Sequence, residues 1–245
     1  MLISGVPTEP VEVPEPVSRV SAGASITPVW VNGQGGLTFQ LGSGPDRRFA
    51  KWAPTGSGID LVAERERLGW AGRYAAVPTV LDHGADRDGA WLLTVGLPGD
   101  SAVADRWKAQ PEVAVRAAGA GLRALHDALP VDRCPFSWSV GVRLEQAAAA
   151  GLKADTLPTP PSIDRLVVCH GDPCTPNTLI DDGGRCSGHV DLSSLGTADR
   201  WADLAVATWS TEWNYGPGWE DTFLQAYGIE PDPERSAFYR ALWDL

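Results

Sequence analysis

The chain has 245 residues, 43% of them hydrophobic and 21% charged, with 11 tryptophans, which is the composition of a globular protein rather than a disordered or membrane one. Its formal net charge of −11, from 20 lysines and arginines against 31 acids, argues against a nucleic acid as partner and permits a cationic one, though acidity that serves solubility alone reads as well. No apolar run approaches the ~20 residues of a membrane span, and the N-terminus lacks the basic start and apolar stretch of an export signal, so the chain is expected in the cytoplasm, off the membrane, as a monomer or weak dimer.

The length exceeds what one core comfortably fills, so two lobes are predicted. Residues 1–24, rich in proline, valine, serine and glutamate, read as an extended lead-in with at most one edge strand. The run PVWV (Pro28–Val31), the turn NGQGG (Asn32–Gly36) and the run LTFQL (Leu37–Leu41) predict a hairpin with a flexible tip. A third strand, RFAKW (Arg48–Trp52), follows the turn at 42–46. Leu61, Leu68 and Ala71 recur at helical spacing among charges and predict one amphipathic helix over 58–71. Strands at 77–81 and 91–95 complete the smaller lobe, with a turn at Asp86–Gly89 between them.

Beyond Leu97 the character changes. Helices are predicted at 111–128 and 138–150, and a proline-containing connector at 151–165. Short strands follow at 166–169, 178–180 and 188–191, and residues 199 to the end read as helical with two breaks. The expected fold is therefore α+β and bilobal, with an antiparallel-sheet lobe over residues 1–96 and a mostly helical lobe over 97–245.

The chemistry is concentrated in VCHGDPCTPN (Val168–Asn177). Phosphoryl transfer needs positioning and charge neutralisation more than covalent chemistry: a carboxylate beside the acceptor hydroxyl, oxygen donors for Mg2+, and a lysine on the nucleotide phosphates. Asp172 fits the first role. Asn177, five residues on, has the D-x4-N spacing of kinase catalytic loops and would reach the metal, as would Asp191 at the end of the strand His189–Asp191. Lys51, between Phe49 and Trp52, is the cation expected to reach the cleft between the lobes. Its carboxylate partner is Glu64, one turn before Leu68 on a core-facing side, with Glu66 the alternative.

Backbone N–H groups of the turn carrying Asn32, Gly33, Gly35 and Gly36 would cover the phosphates. Exposed backbone at Thr94, Val95 and Leu97 would receive an adenine ring. An alternative reading of Cys169, Cys174, Cys186 and His189 as zinc ligands is disfavoured, because Cys169 lies within a strand and Cys174 within the loop just described; lone cysteines are usually small buried hydrophobes.

These residues carry a resemblance. HGD (His170–Asp172) with Asn177, GHVD (Gly188–Asp191) and GTADRWADL (Gly196–Leu204) resemble the aminoglycoside O-phosphotransferase family, whose fold is similar to that of protein kinases. VCHGDPC (Val168–Cys174), CPF (Cys134–Phe136), GTADR (Gly196–Arg200) and AFY (Ala237–Tyr239) resemble its streptomycin 3''- and aminoglycoside 3'-phosphotransferase branches. The resemblance, from about Pro28 to the C-terminus, implies a kinase that moves the γ-phosphate of ATP or GTP, with Mg2+, to a hydroxyl of a cationic aminoglycoside, streptomycin foremost. It implies Asp172 as base, Asn177 and Asp191 as metal ligands, and Lys51 with Glu64 as the phosphate-binding pair. His-Gly-Asp replaces the His-Arg-Asp of protein kinases, which implies activity without a phosphorylated activation loop.

Three departures stand out. Leu192–Ser194 occupies the place of Leu-Gly-Arg, the stretch from Pro130 to Leu166 is short, and Asp244 is the C-terminal acid available to an acceptor. Charge partners for the acceptor's amines are sought among Asp199, Glu212, Asp244 and Glu220, with Trp209, Trp213 or Trp219 as faces for cations, against the more ordinary readings of Asp199 as a helix cap and of the tryptophans as core. Asp203 and His126 are expected to be structural, and His170 to orient the loop. Two other readings stay open: a kinase of another small hydroxylated metabolite, or a nucleotide-binding pseudokinase.

Overall fold

A computed structural model describes residues 4–153 and 157–245; residues 1–3 of the expected lead-in and 154–156 of the expected connector lie outside it. Its elements in chain order are α1 (Glu15–Ser21), β1 (Ile26–Val31), β2 (Leu37–Leu41), β3 (Arg48–Pro54), α2 (Leu61–Ala71), β4 (Val80–Ala85), β5 (Gly89–Val95), β6 (Asp100–Ser101), α3 (Asp105–Lys108), α4 (Pro111–Ala128), α5 (Val140–Ala149), β7 (Leu166–Cys169), β8 (Thr178–Ile180), β9 (Cys186–His189), β10 (Gly196–Asp199), α6 (Trp201–Tyr215), α7 (Glu220–Tyr227) and α8 (Pro233–Trp243). The α+β class expected from the sequence is the one observed. Contacts group Met1–Arg73 with Val77–Leu97, and Tyr74–Ala76 with Pro98–Leu245. The sequence suggested a single cut; instead residues 74–76 join the second unit, where the His189 N–H donates to the Ala76 carbonyl.

In the first unit, five strands pair antiparallel in the order β1-β2-β3-β5-β4. Their inward side chains, Phe39, Leu41, Ala50 and Leu93, close over Val17 of α1. That helix is a correction to the expected extended lead-in. Seven residues are too few to hold a helix alone, and tertiary contacts stabilise it: Val17 is fully buried, worth about 1.5–3 kcal/mol, and Arg48 donates to the Val20 and Ser21 carbonyls at its C-terminal end. The α2 helix begins later than expected because the Asp60 side chain caps it, accepting from the Ala63 N–H at 2.8 Å. The strand expected at 77–81 runs Val80–Ala85 instead, with Pro78 before it.

In the second unit, β6-β8-β9 and β7-β10 form two small antiparallel sheets. The short β6 and β10 were missed by the sequence reading, which began a helix at residue 199; β10 exists through its pairing with β7, Gly196 opposite Cys169 and Asp199 opposite Leu166. Pro111 opens α4 at a position where no N–H is needed, and Ser139 caps α5 through the Val142 N–H. No helix among the described residues is long and apolar enough to cross a membrane.

Candidate active site

In the second unit, β7 delivers the chain into the loop of residues 170–177. The loop is held from beneath by α6, whose Asp203 is completely buried. One carboxylate oxygen of Asp203 accepts from the His170 N–H at 2.6 Å and from His126 Nε2 at 2.9 Å, and the other from the Gly171 N–H at 2.9 Å. His126 is fixed in turn by the Tyr227 hydroxyl at 2.8 Å. Burial opposes the charge on Asp203, yet its His126 hydrogen bond and neighbouring positive charge hold the carboxyl below the usual range. Two helical turns further along α6, Ser210 accepts from the Thr175 N–H at 2.9 Å, and Ser101 donates to the Pro176 carbonyl. The structural roles expected for Asp203 and His126 are those observed. Ser210 and Ser101 were not anticipated, although the seven-residue spacing of 203 and 210 on one helix face was a legible signal.

Gly171 is needed here for two reasons. Its φ is +86°, and a Cβ would lie 2.2 Å from the Ser194 carbonyl oxygen, so a side chain meets both strain and backbone overlap. Gly171→Ala is expected to lose about 2–4 kcal/mol of stability, summing left-handed strain and overpacking. Urea unfolding measures this, and wild-type stability would show that the Ser194 turn yields.

On this frame, the Asn177 Nδ2 donates to the Asp172 carbonyl at 3.0 Å and to Asp172 Oδ2 at 3.3 Å. The Val190 N–H donates to the Asn177 carbonyl at 3.0 Å, and the His170 ring meets the Val190 carbonyl. The hairpin β8–β9 thus brings the residue before Asp191 alongside Asn177. The strand ends at His189 rather than at Asp191 as expected; Asp191 instead has a φ of +65°, one of only two non-glycine residues with positive φ among those described. Such backbone strain gathers at functional sites.

The remaining oxygen of Asp172, Oδ1, is buried with no hydrogen-bond partner. Burial raises the pKa of Asp172 against hydrogen bonding from Cys174, and the negative charge of Asp191 raises it further. An orphaned carboxylate oxygen beside a second carboxylate and an amide fits a hard divalent cation. His189 is buried and pushed down to about 3, hence neutral.

In the first unit, Lys51 Nζ donates to Glu64 Oε1 at 2.6 Å; Glu64 is almost fully buried and Lys51 largely so. Lys51 therefore does not turn out to solvent. Glu66, the alternative partner, is exposed beside Arg65.

The turn at 32–36 differs from expectation. Its N–H groups are used internally: the Asn32 side chain accepts from Gln34 and Gly36, the Asn32 carbonyl from Gly35, and Ser4 Oγ from Gly33. Gly36 is small because a Cβ would lie 2.5 Å from Ile59. In this conformation the turn has no spare backbone N–H for phosphate. At the end of β5, Thr94 is buried, the Val95 N–H donates to the Thr79 carbonyl, and the Leu97 carbonyl is taken by Arg47 at 2.5 Å, so the Leu97 oxygen is not open to an adenine ring.

Among the acceptor candidates, Asp199 is corrected to a structural group. It is 3% exposed, and its oxygens accept from the Asp164 N–H, the Trp201 N–H and Arg235. Glu220 pairs with Arg240 at 3.1 Å. Glu212 and Asp244 are exposed.

The sequence profile of the phosphotransferase enzyme family matches residues 138–239. An aminoglycoside 3'-phosphotransferase of Streptomyces fradiae is 37% identical over an alignment covering 85% of this chain and 90% of that protein. A streptomycin 3''-kinase of Streptomyces griseus is 35% identical, covering 78% and 82% respectively. The solved structure of aminoglycoside phosphotransferase APH(3'')-Id from Streptomyces rimosus superposes with a TM-score of 0.70 at 30% identity, covering 92% of this chain and 94% of that one; that enzyme is also known in complex with ADP and streptomycin.

Proposed function

Since the chain belongs to the aminoglycoside phosphotransferase family, we propose that it transfers the terminal phosphoryl group of a nucleoside triphosphate to a hydroxyl of an aminoglycoside. The observation that carries this is Asp172: a half-buried side chain whose Oδ1 is buried and unpartnered, set beside Asn177 and Asp191 on a loop anchored by Asp203. In this reading Asp172 accepts or orients the proton of the acceptor hydroxyl, which needs a base that is held still more than one that is strong.

Asn177 and Asp191 would hold Mg2+, which when bound supplies charge neutralisation on the phosphates. Lys51, pinned by Glu64, would grip the nucleotide phosphates as a point charge. His170, through its ring contact with the Val190 carbonyl, keeps the Asp172 loop and the Asp191 turn in register. The Asn32–Gly36 turn would have to open its internal hydrogen bonds before its N–H groups could contribute.

Two acceptor positions merit comparison, because relatives of each kind align: the 3'-hydroxyl and the 3''-hydroxyl of streptomycin. A mass-spectrometric screen of aminoglycosides with Mg-ATP and Mg-GTP tests the reading. One acceptor at least is expected to gain the mass of one phosphate, and the fragment that carries it identifies the hydroxyl. If every aminoglycoside returns unmodified while nucleotide binds, the acceptor lies outside this class.

A further inference from the structure

Cys174 stands inside the loop of the base, two residues after Asp172 and three before Asn177. Its carbonyl accepts from the Asn177 N–H at 2.9 Å, opening the short 3-10 turn Thr175–Asn177, and Pro173 and Pro176 fix the backbone on either side. The stretch that carries its half-buried side chain is therefore rigid.

The thiol has two polar neighbours, the Asp172 carboxyl and the Ser210 hydroxyl of α6, and it hydrogen-bonds to both. Ser210 is fully buried and already accepts from the Thr175 N–H at 2.9 Å and from Asn214 Nδ2 at 3.2 Å. A hydroxyl with both lone pairs committed has only its proton left to offer. An ionised carboxylate, for its part, only accepts, so in the bond to Asp172 the thiol is the donor. An ordinary thiol is protonated at neutral pH, with a pKa of roughly 8.5, and burial with the charge of Asp172 pushes Cys174 higher still. This is a donor, not the thiolate that a metal ligand or a nucleophile requires.

The carboxylate has need of one. Asn177 Nδ2 divides itself between the Asp172 carbonyl at 3.0 Å and Asp172 Oδ2 at 3.3 Å, the longer and weaker contact, and Oδ1 has no partner. A weak S–H donor fixes the direction of the carboxylate while drawing off little of its charge, so the group stays able to take a proton.

We infer that Cys174 is a positioning residue, whose thiol, backed by Ser210, donates to the Asp172 carboxylate and holds it toward the acceptor hydroxyl. This rests on the function proposed above. It gives α6 a second grip on the loop, with Asp203 holding backbone N–H groups and Ser210 reaching the base through the sulfur.

The test compares full-length wild type, Cys174→Ala, Cys174→Ser and Asp172→Asn. Infrared absorption reads the bond itself, because the S–H stretch lies clear of other protein bands and the wild-type minus Cys174→Ser difference isolates one of the four free thiols. That band is expected below the S–H frequency of the unfolded protein, and to rise in Asp172→Asn. Kinetics read the consequence: Cys174→Ala should lower kcat by about 5- to 30-fold, the worth of a weak donor on a charged acceptor, with acceptor and nucleotide KM unchanged. Cys174→Ser, which keeps a donor, should stay within about threefold of wild type.

A wild-type kcat in Cys174→Ala overturns the inference. So does a loss that serine fails to recover, or one matched by a rise in either KM, which would mark a distorted loop. An S–H band unmoved between wild type and Asp172→Asn overturns it as well. If the wild type phosphorylates no acceptor, the proposed reaction falls and the band alone decides: movement with Asp172→Asn keeps the thiol as the anchor of the carboxylate, and its absence removes both.

Discussion

Asp172→Asn is expected to lower kcat by about 10²- to 10⁴-fold, the usual contribution of a positioned base, while the protein becomes no less stable. The two halves of this expectation come from one fact. Asp172 is half-buried, its Oδ1 is fully buried without a partner, and Asp191 lies close enough to raise its pKa. In the absence of a bound cation its negative charge is therefore a cost to the folded state, present once the pH exceeds the value for an unfolded aspartate, roughly 3.9. Asparagine has nearly the same shape and no charge, so thermal unfolding should occur at the same temperature or higher, the usual direction when a strained functional group is neutralised. Steady-state kinetics and calorimetry on the same preparation check both. A variant that keeps more than about a tenth of wild-type kcat would assign the base elsewhere.

Asp203→Ala should act in the opposite sense, and mainly on the fold. It strips the acceptor from the His170 N–H, the Gly171 N–H and His126 together, leaving buried donors unsatisfied at a cost of about 3–5 kcal/mol. For a chain of this size that lowers the melting temperature by on the order of 10 °C. The pH dependence follows from the depressed pKa of Asp203, where burial works against the charge and the His126 bond outweighs it. A carboxyl with a lowered folded pKa gives stability that is fully present above its unfolded pKa, roughly 3.9, and is lost as pH falls through the folded value. Wild type should therefore lose stability below about pH 4 more steeply than Asp203→Asn, which lacks that titration. Equal acid limbs in the two proteins would remove Asp203 as the electrostatic anchor of the loop.

Asp172 follows directly on the two N–H groups that Asp203 holds, and their opposite expected effects express a division of labour. Asp203 has every oxygen spent and stabilises; Asp172 has an oxygen unspent and is kept available. The loop between them turns on Gly171, whose missing side chain lets the Ser194 carbonyl approach. The Ser193–Ser194 pair, notable in the sequence as the replacement of a glycine and an arginine, thus contributes through its backbone to the shape of the loop.

The class of fold and the local chemistry were legible in the amino-acid order. Alternating apolar runs specified the strands from Ile26 to Pro54, an 18-residue apolar periodicity opened by Pro111 specified α4, and the spacing of Asp172 and Asn177 placed both on one short loop. Glu64 rather than Glu66 was legible as the partner of Lys51, because helical spacing puts residue 64 on the face shared with Leu68. These features are set by neighbours a few residues apart, so local pattern suffices to read them.

Other features depend on long-range packing. The helix at Glu15–Ser21 is too short to form alone and exists because Val17 fills a gap under the sheet and Arg48 satisfies its last carbonyls. The strand Gly196–Asp199 exists because β7 runs beside it, and Asp199 left the acceptor candidates once Arg235, 36 residues away, occupied its carboxylate. The turn at Asn32 carries glycines fit for phosphate, yet its N–H groups close on the Asn32 side chain and on Ser4. Except for the Asn32 side chain, which acts within its own turn, the deciding partner is distant in sequence, and whether a polar group is free or already satisfied is not legible from its neighbours.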